Sequence, residues 1–225
     1  MVDIPTLDIE DYDPDLNEEV DAIEDKAGGA LSYGIVGAGQ GGGRMAKAFF
    51  DLGYTKTIAV NTARSDLNGL KLPEDQKFLV DEHGEQGAGK DQAKAAAAIE
   101  QKEQEVFNKF REIFGTNVDR ILICLGVSGG SGGGTVDTLI KVAKKYFIYI
   151  GVEDVDRRVG VIASLPTAGE SASPTVAKNA HTRITKLCDP AEEGKIAPLI
   201  MVDNEKIKKL YPKLTVKKFW TTINN

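Results

Sequence analysis

Two glycine-rich stretches are the residues of this sequence best suited to chemistry, and the chemistry is the holding of an anion. Residues 125–139 read LGVSGGSGGGTVDTL, with Gly126, Gly129, Gly130, Gly132, Gly133 and Gly134 close together. Residues 37–43 read GAGQGGG. Each stretch follows an apolar run, 121–125 or 33–36, and precedes a segment of helical character. Glycine lets backbone approach a ligand closely. Amides at the start of a helix form a ready phosphate site. Ser128, Ser131 and Thr135 add hydroxyl donors. Because linkers rarely join a buried strand to a helix, the context favours a phosphate cradle over a flexible connection.

The first stretch satisfies GxGxxG at Gly37, Gly39 and Gly42, a motif that marks a nucleotide phosphate without naming the nucleotide. A dinucleotide fold would place an acid at the tip of the second strand, 57–61, for ribose hydroxyls. That position holds Asn61. An NAD(P)-dependent oxidoreductase would therefore explain the first stretch and leave the second idle. Residues 84–90 match GxxxxGK, but Asp91 stands where a phosphate loop needs a magnesium-binding hydroxyl. This segment reads instead as a third flexible loop over the same ligand, with Asp91 capping the next helix.

The elements that position these loops alternate. Short apolar runs at 33–37, 57–61, 77–80, 121–125, 159–163 and 198–202 read as strands. Helices are expected at 44–50, from 91 to about 114, at 136–146, at 175–187, from Asn204 to Leu210, and from Leu214 onward. Ile99, Val106, Phe107, Phe110, Ile113 and Phe114 form one apolar stripe, read as core, and the alanines at 93–98 suit packing on a sheet. The alternation predicts an α/β fold with a doubly wound, mainly parallel sheet flanked by helices. Ligands in such sheets sit at the carboxyl ends of the strands, where both glycine stretches, Asn61 and Asn204 fall.

Composition narrows the class. The chain has 225 residues, 41% of them apolar, enough for a sizeable core. No apolar run reaches the length of a membrane span. Two cysteines, Cys124 in a strand and Cys188 in an expected loop, indicate a reducing cytoplasm rather than a disulfide framework. His83 and His181 do not make a metal cluster. The net charge of -6 is uneven: residues 1–30 hold eleven acids and one base. That acidic segment, 1–31, reads as a disordered arm that could bind a protein partner. The rest is too weakly basic for a broad nucleic-acid surface.

Taken together and in order, these motifs resemble the tubulin/FtsZ superfamily of filament-forming GTPases. GGSGGGT at 129–135 resembles that family's signature, with Ser131 and Gly132 departing from it. GAGQGGGRM resembles its opening phosphate loop, Asn61-Thr62 with Asp66-Leu67 its second, and Gly87-Ala88-Gly89 its γ-phosphate loop. Leu165-Pro166 with Glu170 resembles the ribose loop, and residues 199–205 the segment bearing a guanine-binding Asn. The resemblance implies GTP or GDP as ligand, with Mg2+. It places the phosphates on Gly37, Gly39, Gln40, Gly41, Gly42 and Asn61, on Gly87, Ala88 and Gly89, and on Gly129, Gly130, Ser131, Gly132, Gly133, Gly134 and Thr135. Glu170 would contact ribose, and Asn204, Trp220 and Asn224 the guanine, with Phe219 as a substitute for Trp220. It further implies a GTP-binding domain over 32–225 that ends inside a central helix, before the acidic loop that completes hydrolysis. No catalytic residue is therefore assigned. Self-association into filaments, in cell division or DNA segregation, is the expected function, and a non-catalytic interaction protein is the remaining alternative.

Overall fold

A computed structural model describes residues 31–81 and 87–212. Residues 1–30 of the acidic arm, His83, the helix expected from Leu214 onward, Phe219, Trp220 and Asn224 lie outside the described residues. Six strands form one sheet: β1 (Tyr33–Ala38), β2 (Thr57–Asn61), β3 (Lys77–Leu79), β4 (Arg120–Gly126), β5 (Val159–Leu165) and β6 (Leu199–Asp203). All pair in parallel, in the order β3-β2-β1-β4-β5-β6. This is a doubly wound sheet whose order reverses between β1 and β4.

Apolar alternation explains its two covered faces. Ile121, Ile123 and Leu125 of β4 join one buried cluster, together with Val36 of β1 and Val161 of β5. Cys124 joins Ile35 and Ile162 in a second cluster, packed against Leu122. Parallel strands buried on both sides read as such continuous apolar runs. The second cluster includes Met45 and Ala46 of α1 (Gly39–Asp51), which follows β1. The first includes α4 (Glu103–Phe114) and α5 (Gly130–Tyr149). Phe110, Phe114 and Tyr146 meet tilted or edge to face within it, with ring centroids 5.0 to 6.5 Å apart.

Several elements differ from the sequence expectation. Most of the glycines do not lie in loops before helices: Gly37 and Gly126 belong to strands, and those from Gly39 and from Gly130 onward form the first turns of α1 and α5. The expected helix from 91 to 114 is two helices, α3 (Gln92–Gln101) and α4, because Lys102 leaves helical geometry at φ -105° and ψ 14°. The alanine run of α3 packs on α5, not on the sheet: a Cβ added at Gly134 would overlap Ala95 and the Gln92 carbonyl. Residues 147–149 extend α5. Cys188 and Pro190 lie inside α7 (Pro174–Glu192) rather than in a loop. Pro190 has no N–H to return to the Lys186 carbonyl, so the last turn of α7 lacks that one bond.

Close packing yields one prediction. A Cβ at Gly42 would overlap the Cys124 carbonyl of the neighbouring strand. Gly42→Ala should destabilise by roughly 1–3 kcal/mol, read from the urea midpoint. A second concerns alkali. Burial pushes the Cys124 thiol and the Tyr146 phenol each up to about 12, from 9.0 and 10.0. Both groups are neutral in the folded chain, so their contribution is complete below pH 9.0 and is lost as the pH rises toward 12. The melting temperature should fall across that window, and Cys124→Ala should delay the onset from near 9.0 to near 10.0.

Candidate nucleotide cleft

The cleft is built where β1 and β4 end side by side, Ala38 paired with Leu125. β1 turns directly into α1 at Gly39, and β4 reaches α5 at Gly130 through the turn 127–129. The N-cap residues are Ala38 and Gly129, which have no side-chain oxygen with which to cap. Neither first turn contains an acid. Two helix starts without a side-chain cap therefore adjoin one space, where the partial positive charge of a helix start favours an anion. By contrast, Asp91 caps α3 and Asp203 caps α8 (Asn204–Leu210).

The two helix starts touch. A Cβ on Gly39, which sits at φ +69°, would lie 2.5 Å from the Gly132 nitrogen, and one on Gly132 would lie 2.7 Å from the Ala38 carbonyl oxygen. Around this contact opens a cleft of about 340 Å³. Gly39, Gln40 and Gly41 line it from α1; Gly129, Gly130, Ser131 and Gly132 line it from α5. Gly87, Ala88 and Gly89 form a further wall. Glu170 and Asn204 stand at another part of the rim, beside Leu165 and Pro166.

Other residues expected to touch ligand stand behind the wall. Gly37 packs against Gly42, and Gly133 against the Gln92 side chain. Thr135 is fully buried and its hydroxyl donates to the Ser131 carbonyl at 2.8 Å, so it holds the helix turn. Asn61 is also buried: its Nδ2 donates to Asp66 at 3.1 Å and its Oδ1 accepts from Ala63 N at 3.1 Å. Asp66 of α2 (Arg64–Asn68), not Asn61, reaches the cleft, and Gln40 Nε2 donates to it at 2.9 Å. Glu170 caps α6 (Ala168–Ser171) through a reciprocal box with Thr167. Its Oε2 accepts from Thr167 N at 2.8 Å, yet a carboxylate has acceptor capacity beyond that.

Sequence reasoning missed the residues that tie the loops together. The Thr62 hydroxyl lies 2.6 Å from the Ser131 hydroxyl and accepts from Ala88 N at 3.1 Å. One buried hydroxyl so joins the loop after β2, the 87–89 turn and the start of α5. Gln92 Nε2 donates to the Val127 and Gly129 carbonyls. Asn179 Nδ2 does the same for Lys90 and Ser128. Arg44 and Lys90 also line the cleft. The long separations of these partners left no local signal, although Lys90 was visible as the end of GxxxxGK.

The orphaned atom of the site is Asn204 Oδ1. Asn204 is 4% exposed, lines the cleft, and its Oδ1 has no hydrogen-bond partner. A buried acceptor left unpaired is costly, and it is satisfied when a ligand donor fills the place.

Residues 33–212 match the model of the tubulin/FtsZ family, GTPase domain. The chain belongs to the tubulin/FtsZ family. Among members, it is 31% identical to the tubulin-like protein CetZ2 of Haloferax volcanii, over 76% of this chain and 45% of the relative. It is 28% identical to cell division protein FtsZ 1 of Pyrococcus abyssi, over 81% of this chain and 44% of that protein. The GDP-bound monomer of CetZ1 from H. volcanii superposes with a TM-score of 0.71 at 25% identity, covering 86% of this chain and 57% of that one. The GTPγS-bound protofilament of CetZ2 superposes with 0.68, also at 25% identity, covering 86% and 55%. The chain thus spans less than half the length of these two curated relatives, and the family's nucleotide-domain sheet accounts for what is described.

The Thr62 junction is testable. Thr62→Val keeps the shape but strands the Ala88 amide and the Ser131 hydroxyl. It should cost about 1–3 kcal/mol in unfolding free energy, and raise hydrogen exchange at Ala88 above that of the α5 core.

Proposed function

We propose that this domain binds guanine nucleotide, GTP or GDP, and belongs to a filament-forming cytoskeletal protein acting in cell division or DNA segregation. The observation that carries the reading is the unpaired, buried Asn204 Oδ1 at the rim of a cleft floored by two uncapped helix starts. Guanine offers two adjacent N–H donors on one edge, and an asparagine amide supplies the acceptor together with a donor for the carbonyl beside them. The GDP and GTPγS bound by the CetZ relatives support the same ligand, and their protofilament supports self-association. Trp220 and Asn224 as further base contacts remain part of this proposal, as do ribose binding by Glu170 and the acidic arm as a partner segment.

Mg2+ fits as a companion of the nucleotide. No group of three His, Cys, Asp or Glu among the described residues could hold a metal alone. Mg2+ instead keeps waters and binds phosphates with one or two carboxylates, and Asp66 is the carboxylate beside Gln40 on the cleft. When bound, the ion would neutralise phosphate charge.

For hydrolysis, the carboxylates on the cleft among the described residues are Asp66 and Glu170, and both already accept hydrogen bonds within the protein. The domain is therefore assigned to binding, with turnover completed by groups from a second subunit. No helix among the described residues is long and apolar enough to cross a membrane, and a cytoplasmic location is proposed with the function. The dehydrogenase alternative is not favoured, because the second helix start would have no phosphate to hold.

Titration with fluorescent GTP, competed by GTP, ATP and NADH, tests this reading. GTP and GDP should displace the probe, and ATP and NADH should not. Asn204→Ala should weaken GTP by about tenfold or more and erase the preference over ATP. Displacement by NADH alone would sink the proposal.

A further inference from the structure

Lys90 carries a backbone conformation that costs energy and a charge that the site can use. Its φ is 69°, and it is the one residue other than glycine with positive φ among the described residues. An L side chain there is strained, and such outliers gather where a ligand is handled. The surroundings hold the strain in place. A Cβ on Gly130 would lie 2.9 Å from both the nitrogen and Cα of Lys90. The Lys90 carbonyl accepts from Asn179 Nδ2 at 2.8 Å. The backbone of Lys90 is thus wedged against the first turn of α5, and the residue is exposed and lines the cleft.

The long direction of the cleft follows the strand order. Asn204 comes after β6, at one edge of the sheet. The helix starts of α1 and α5 mark the middle, where β1 and β4 meet. The turn bearing Lys90 bonds Thr62, beyond β2, on the other side. A nucleotide whose base meets Asn204 and whose first phosphates lie on the helix starts directs its terminal phosphate toward the turn bearing Lys90.

We propose that the Lys90 ammonium is the protein's own counter-charge for the terminal phosphate, so that the cleft prefers a nucleoside triphosphate over a diphosphate and keeps part of that preference without a divalent cation. This rests on the nucleotide reading given above. Lysine serves phosphate as a point charge, needing no fixed fork geometry. A glycine at this position would relieve the backbone but forfeit the charge.

The test compares GTP and GDP affinities of the full chain by displacement of fluorescent GDP, with Mg2+ and with EDTA. Lys90→Gly should weaken GTP about tenfold and GDP less than about twofold, with the larger GTP loss in EDTA. The same variant should melt no lower than the parent, since φ near 69° suits glycine. Lys90→Gln, which keeps the backbone as it is, should show the same change in the GTP to GDP ratio, and Lys90→Arg should restore most of it. An unchanged ratio in both the Gly and Gln variants overturns the proposal while leaving nucleotide binding intact. A parent chain that binds neither nucleotide overturns the nucleotide reading itself, and this proposal with it.

Discussion

Two strand-to-helix turns meet backbone against backbone, and the rest of the molecule is arranged to allow it. β1 and β4 pair so that Ala38 and Leu125 end at one level. The helices that follow leave to opposite faces of the sheet, yet their first turns touch at Gly39 and Gly132. Side chains at either position would hold them apart. The contact concentrates two helix starts on one small volume, and the partial charges there act together. The reversal of strand order is the same fact seen from the topology: only where neighbouring strands send their helices to opposite faces can a ligand reach both.

Behind that contact, the packing is organised to keep it in register. Met45 and Ala46 fasten α1 to one face, and Leu139 and Tyr146 of α5 fasten the other. The small residues of α3 let that helix lie against the glycine start of α5, and Gln92 at its beginning fixes the turn from Val127 to Gly129. Buried polar contacts of this kind are worth about 1 kcal/mol net, but an unpaired member costs more. They specify position more than they add stability.

The sheet, its order of elements and the cradle were legible in the sequence because each has a local signature. Apolar runs with glycine at their ends give buried parallel strands, and Asp91 and Asp203 announce the helices they cap. What escaped was set by distant partners. A run of glycines reads as loop by propensity, yet here tertiary packing on Cys124 and Gln92 holds it helical. Asn61 has the type of a ligand-binding residue, but Asp66 and the Ala63 amide consume its polar atoms. Thr62 belongs to the Asn61-Thr62 motif, but its role as a junction appears only when Ser131 and Ala88 are brought to it across 69 and 26 residues. The break at Lys102 likewise interrupts an apolar stripe that is continuous in sequence.

The glycine tracts that open α1 and α5 are therefore not uniform, and their unevenness bears on how such a chain can drift. At Gly39 and Gly132 a new methyl group would strike backbone, whereas at Gly41 and Gly129 the nearest atoms stand 3.5 and 3.7 Å away. The former pair is frozen by the fold; at the latter, which line the cleft, the protein leaves room for a methyl group and only a bound ligand would restrict it. Ser131 already occupies the place in this tract where a side chain meets a use, against the Thr62 hydroxyl. Variation among descendants of this sequence should thus gather at Gly129 and at the place of Ser131, while Gly130, Gly132, Gly133 and Gly134 stay fixed by the atoms packed against them.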